Sequence, residues 1–149
     1  MVDAPLVLRK LSQLQDYATQ LEEYRSLTAV GYTSDWKVQR IVDRTLQMAI
    51  EVCLDIAGHI ISDAGFRIPT SYADTFRVLH ENRLIDDALL AVLEKMARCR
   101  NVIVHHYDRI DAEIVVGILR KNLPDFAAFR SAILPVLGEA QINDEKTSR

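Results

Sequence analysis

Arg100-Asn101-Val102-Ile103-Val104-His105-His106-Tyr107, followed by Ile110-Asp111, sets an arginine, an amide, imidazole groups and a phenol into an otherwise apolar run. Polar groups in apolar surroundings need hydrogen-bond partners or a chemical purpose, because burying them unpaired is unfavourable. These residue types suit cleavage of a phosphodiester. The planar, permanently charged fork of an arginine holds phosphate oxygens, and a histidine moves protons near neutral pH. RNA needs no metal for this reaction. Its own 2′-hydroxyl attacks the adjacent phosphorus when a base takes the proton, an acid protonates the leaving oxygen and a cation stabilises the charge that develops. The plainer reading of a lone Arg100 and His105 is a helix-end arginine paired with a carboxylate and a satisfied core histidine.

Spacing limits how these groups can meet. At about 100° per residue, Arg100 and Tyr107 share one face of an ideal helix, whereas His105 lies about 140° from Arg100. One straight helix therefore cannot aim all three at one substrate. Either the helix ends near Val104 and the following turn re-aims His105 and Tyr107, or two copies of the chain assemble the site. The residues leave both routes open.

Helical periodicity dominates the rest of the chain, and its five Gly and four Pro mostly mark breaks. A first helix is predicted from about Pro5 to Leu27, burying a stripe of Leu8, Leu11, Leu14, Leu21 and Tyr24. Gly31 and Thr33-Ser34-Asp35 break it, and Ser34 or Asp35 caps a second helix from Trp36 to about Ala64. A loop over Gly65 to Ser71 precedes a short helix near Tyr72 to His80 and a fourth from Ile85 to about Val104. The fifth is split across Asp111 to Lys121 and Pro124 to Leu137, with Pro124 suited to a first helical turn. The expected fold is all-α: an up-and-down bundle of four main helices plus a short extra one, homodimeric. One helical domain over residues 1–138 and a disordered polar tail over 139–149 complete the organisation.

The second helix is apolar nearly all round from Leu46 to Ile61, which implies burial on more than one side; a partner subunit would supply the second side. Yet Arg44, Glu51, Asp55 and His59 form a polar stripe along it. That stripe is either an ordinary salt-bridge ladder, with Glu51 or Asp55 pairing Arg44 or an arginine of the fourth helix, or a support in which Glu51 or Asp55 positions Arg100 or His105.

At 149 residues and 16.9 kDa the chain fits one domain, and its 49% hydrophobic content suffices for a core. A net charge of −3 and a pI near 5.8 exclude a general nucleic-acid coat protein, although Lys95, Arg98, Arg100 and Arg109 give local positive potential near the motif. Cys53 and Cys99 lack metal-ligand or disulfide-framework spacing and read as core thiols. The start Met-Val-Asp-Ala-Pro lacks the regions of a signal peptide, and no apolar run reaches the roughly 18 residues of a membrane span. The expectation is a cytoplasmic protein with no metal, cofactor or membrane partner.

The whole string resembles the signature of HepT-type proteins of the HEPN superfamily, which reads Arg, four residues, His, one residue, Tyr; Arg100, His105 and Tyr107 fill it. The resemblance extends to the helix from Arg40 to Ile61, through Ala49-Ile50-Glu51 and Asp55-Ile56-Ala57 to His59-Ile60. One departure is His106, a second imidazole inside the motif. The resemblance implies a metal-independent endoribonuclease, the toxin of a toxin–antitoxin pair. Arg100 would bind and stabilise the scissile phosphate, His105 would be the general base or acid, and Asn101 would orient by hydrogen bonding. It also implies RNA as substrate and, as partner, an MntA-type nucleotidyltransferase antitoxin that transfers AMP from ATP to Tyr107, whose hydroxyl is expected to open toward the cavity that holds the RNA phosphate. The alternative is a non-catalytic helical subunit that binds a nucleotidyltransferase.

Overall fold

A computed structural model describes residues 2–147 of the chain and the side chains of residues 2–138. Of the tail expected over 139–149, the backbone through Thr147 continues the last helix, and its side chains lie outside the described ones. Among the described residues the architecture is all-α. Four long helices make the bundle: α1 (Ala4–Glu22), α3 (Trp36–Ala64), α5 (Asp87–His105) and α7 (Pro124–Thr147). Short helices α2 (Ala29–Ser34), α4 (Tyr72–Glu81) and α6 (Ala112–Lys121) connect them, and a 3₁₀ turn spans Tyr107–Arg109.

Side-chain caps fix most of the boundaries. Asp35 accepts from the backbone N–H of Lys37 (3.0 Å) and Val38 (3.3 Å) and starts α3, Asp86 accepts from Leu89 N–H at 2.8 Å to start α5, and Asp111 starts α6. Gly65 ends α3 at φ 69°, a left-handed conformation that glycine adopts without a Cβ penalty. The sequence reading missed α2: Thr28 caps it through a 3.0 Å bond from Gly31 N–H, so Gly31 lies inside a short helix and not in a break. In α1 the buried stripe is Ala4, Val7, Leu11, Leu14 and Leu21, and Leu8 is exposed. Val7 takes its place because the seam repeats at seven residues from Ala4 through Leu11.

The central helix is covered within one chain. α3 does bury residues on several sides, including Leu46, Ile50, Cys53, Ile56, Ala57 and Ile60. Its neighbours are α1, α2, α4 and α5 of the same chain, so no second subunit is needed to cover it. By length and composition α3 could cross a membrane, but most of its apolar window is packed inside the bundle. α7 packs against α1 and α5 and closes the ring, with Phe129 meeting Phe76 of α4 edge to face at 6.4 Å, a contact worth about 0.5–1.5 kcal/mol beyond its area. Both cysteines are free and buried; burial pushes the Cys99 thiol up to about 11, which fits a core role.

One arginine holds the loop before α4 rigidly. Arg67 donates from Nη1 and Nη2 to the two carboxylate oxygens of Asp74, each at 2.8 Å, and from Nε and Nη2 to Glu81. Thr70 N–H also donates to Asp74 at 2.9 Å. The Arg67 guanidinium, then the Thr70 N–H, hold the Asp74 carboxyl well below the usual carboxylate range. Residues Pro69 to Ser71 are thereby fixed as a wall beside α4.

Candidate active site

Three polar residues of α5 emerge near its C-terminal end. Arg100 is half-buried, its side chain 13% exposed, and crosses to α3: Nε donates to Glu51 Oε1 at 3.1 Å and Nη2 lies 3.0 Å from the same oxygen. Gln47, one turn earlier on α3, donates to that oxygen as well, at 3.0 Å. On the other side Arg100 Nη1 donates to Asn101 Oδ1 at 3.3 Å, and the guanidinium carbon sits 4.7 Å from the centre of the Tyr72 ring. An arginine has five N–H donors. Glu51 and Asn101 engage three, which leaves two for a phosphate while the fork stays oriented.

Both neighbours of that guanidinium, Tyr72 and Asn101, line an open groove together with His105, His106, Thr75 and the Pro69–Ser71 wall. Its volume is about 540 Å³, in the range of roughly 300–1,000 Å³ typical of ligand sites. Asn101 and His105 are four apart on α5 and so share a face. Spacing alone put His105 well round the helix from Arg100; the arginine side chain reaches Asn101, which lines the groove with His105.

α5 ends at His105, and the His106 N–H closes its last turn by donating to Val102 O at 2.8 Å. His105 is therefore still a helical residue and is not re-aimed. Tyr107 is: it opens the 3₁₀ turn, 74% exposed, and faces a second groove along the first half of α3. The expectation that Tyr107 and His105 open onto one cavity is not met within a single chain, because the turn at His106 swings the tyrosine to the other side of α5.

The polar stripe of α3 divides. Glu51 holds Arg100, whereas Asp55 is exposed and reaches Lys10 of α1 at 3.5 Å, so Asp55 is not joined to the arginine. Of the two pairings a ladder allowed, the one with an arginine of α5 forms, at Glu51 and Arg100, while Arg44 has no ion pair among the described residues. Of the cations near the motif, Lys95, Arg98 and Arg109 surround a different cavity between α5 and α6, away from Arg100. Tyr72 and Gln47 were missed by the sequence reading. Gln47 had a signal, since it stands four residues before Glu51 on the same stripe; Tyr72 had none, because its contact with Arg100 exists only once α4 packs on α5.

Comparison with known proteins shows the family of the chain. The family model described as Ribonuclease HepT-like matches residues 14–133. The mRNA nuclease HepT of Shewanella oneidensis is 37% identical over 102 residues, which is 68% of this chain and 77% of that protein. The tRNA nuclease HepT of Aphanizomenon flos-aquae is 24% identical over 110 residues, 74% of this chain and 75% of its own length. A solved structure of a tri-AMPylated Shewanella oneidensis HEPN toxin in complex with MNT antitoxin superposes with a TM-score of 0.78 at 31% identity, covering 89% of this chain and 98% of that one. This chain belongs to the HepT-like ribonuclease family.

Proposed function

We propose that the chain is the endoribonuclease toxin of a toxin–antitoxin pair and that the groove of Arg100, Asn101 and His105 is where it cuts RNA. The observation that carries the assignment is the Arg100 guanidinium: clamped by Glu51, with two donors left over, and in contact with Tyr72 and Asn101, which line a groove together with the His105 imidazole. Its fixed charge stabilises the phosphorane-like transition state without reorganising as the charge develops. His105 removes the 2′-hydroxyl proton or protonates the departing 5′-oxygen. The 2′-oxygen forms a bond to phosphorus, the bond to the 5′-oxygen breaks, and the products are a 2′,3′-cyclic phosphate and a 5′-hydroxyl. Asn101 holds the inner edge of the arginine, and Glu51 positions it without touching substrate.

The partner is an MntA-type nucleotidyltransferase. In the silencing step the Tyr107 hydroxyl oxygen attacks the α-phosphorus of ATP, pyrophosphate leaves and the phenolic proton is lost, so that AMP remains on the tyrosine. A second copy of the chain docks on the motif end, where Ile68, 87% exposed, lines one cavity with the exposed Tyr72. Light scattering at micromolar concentration should return twice 16.9 kDa; the monomer mass would contradict the dimer.

In cells, expression of the chain alone should arrest growth and produce new RNA ends, and co-expression with its nucleotidyltransferase should abolish both. Growth arrest without new RNA ends would remove the nuclease reading.

A further inference from the structure

Tyr107 faces a groove that the cleavage chemistry above does not use. Its floor is the N-terminal half of α3, which presents Trp36, Arg40, Asp43, Arg44 and Gln47 beside the tyrosine, around a volume of about 660 Å³. The spacing of these residues puts them on one stripe of the helix. Trp36 is 60% exposed, an unusual state for so large an apolar surface. The Arg40 guanidinium lies 4.8 Å from its ring centre and Lys37 Nζ 5.7 Å. Neither Arg40 nor Arg44 has a carboxylate partner among the described residues. The one acid in the lining, Asp43, accepts a hydrogen bond from the buried Tyr32 at one of its oxygens, and it pairs with neither arginine.

An aromatic plane flanked by unpaired guanidinium groups is the combination that holds a single nucleotide: the base stacks and the phosphodiester meets the cations. We propose that this groove is a nucleotide subsite, with a base on Trp36 and a phosphodiester on Arg40 and Arg44. The proposal deepens the function above and rests on it for its ligand. Two sources supply the same chemistry: the adenylate carried on Tyr107, and a nucleotide of the RNA strand beyond the cut. The stripe continues to the cleavage site, because Gln47 donates to Glu51, the carboxylate that clamps Arg100. From Trp36 to Glu51 is about 22 Å along the helix axis at 1.5 Å per residue. A nucleotide held here therefore lies on the path of a strand that reaches the arginine. Adenylate on Tyr107 would fill that path without entering the His105 groove, which accounts for silencing by a tyrosine that faces the other side of α5.

Trp36 is the only tryptophan in the chain, so its fluorescence reports on this groove alone. In one arm, single-stranded oligoadenylate is titrated into the full chain carrying His105→Ala, which prevents cutting. Saturable quenching is expected, and Arg40→Gln and Arg44→Gln should each weaken it by roughly tenfold. In the other arm, protein adenylated at Tyr107 by its nucleotidyltransferase is compared with unmodified protein. Quenching without added oligonucleotide, reversed when a phosphodiesterase removes the AMP, identifies the linked adenylate as occupant; quenching only on titration identifies the RNA strand. Either result supports the subsite. No quenching in either arm, or quenching unchanged by both arginine substitutions, overturns it. A protein that quenches but cleaves no RNA would keep the subsite and lose the nuclease, and one that cleaves without quenching would do the reverse.

Discussion

Replacing Arg100 or His105 with alanine lowers the rate of RNA cleavage by about a hundredfold or more while the bundle stays folded. Loss of one group that stabilises transition-state charge, or of one proton-transfer group, has consequences of that size. The fold survives because Glu51, once the arginine is removed, still accepts from Gln47 and is partly open to water. His106→Ala should do far less. Both imidazoles line the groove, but His105 shares the α5 face of Asn101, whereas the His106 backbone serves to close the helix. Glu51→Gln should fall between, since an amide oxygen can still accept from Arg100 but does not pair its charge. Initial rates on a defined RNA, with circular dichroism on each variant, check this set. Unchanged cleavage by Arg100→Ala would remove the reaction from this groove, and an indispensable His106 beside a dispensable His105 would reassign the imidazole. A large fall in Tm for Arg100→Ala would mark the arginine as structural.

Tyr107→Phe abolishes modification by the nucleotidyltransferase and lets an active toxin escape silencing by that route. The hydroxyl is the nucleophile toward ATP, and phenylalanine lacks it. Tyr107 is well exposed on its 3₁₀ turn, so a transferase can reach it without unfolding any helix. Each AMP adds a negative phosphodiester and a nucleoside beside Arg40 and Arg44, which opposes RNA electrostatically and sterically. Intact-mass spectrometry of the co-expressed chain should show additions of one or more AMP units that map to Tyr107 and vanish in Tyr107→Phe. A fully neutralised complex with unmodified Tyr107 would mean that the partner works by occlusion.

The long helices, their caps at Asp35 and the α7 start at Pro124 were legible because each is written locally, in periodicity and in a side chain that satisfies nearby N–H groups. α2 was not, since Gly31 and a run of Thr, Ser and Asp carry turn propensity that a single cap at Thr28 overrides. In the site, the pairing of Arg100 with a carboxylate of α3 was legible, but the choice between Glu51 and Asp55 depended on how α3 is rotated against α5 and α1. Tyr72 and the separation of Tyr107 from His105 belong to packing and to the turn at His106, and no residue type announces either. The apolar girth of α3 was read correctly as burial on several sides and wrongly as a requirement for a second subunit, because sequence does not say that α1, α4 and α5 come back to the same helix.

The most direct test of the central claim is to incubate the purified chain, free of its nucleotidyltransferase, with an RNA oligonucleotide in EDTA, beside the same oligonucleotide carrying a single 2′-deoxy substitution at the cut. The all-ribose strand should be cut to a 2′,3′-cyclic phosphate or 3′-phosphate and a 5′-hydroxyl, and the strand should stay intact at the deoxy position. Loss of cleavage in EDTA, or equal cleavage of the deoxy-substituted strand, would contradict the claim; no cleavage at all by a chain that binds the nucleotidyltransferase tightly would favour a non-catalytic binding subunit.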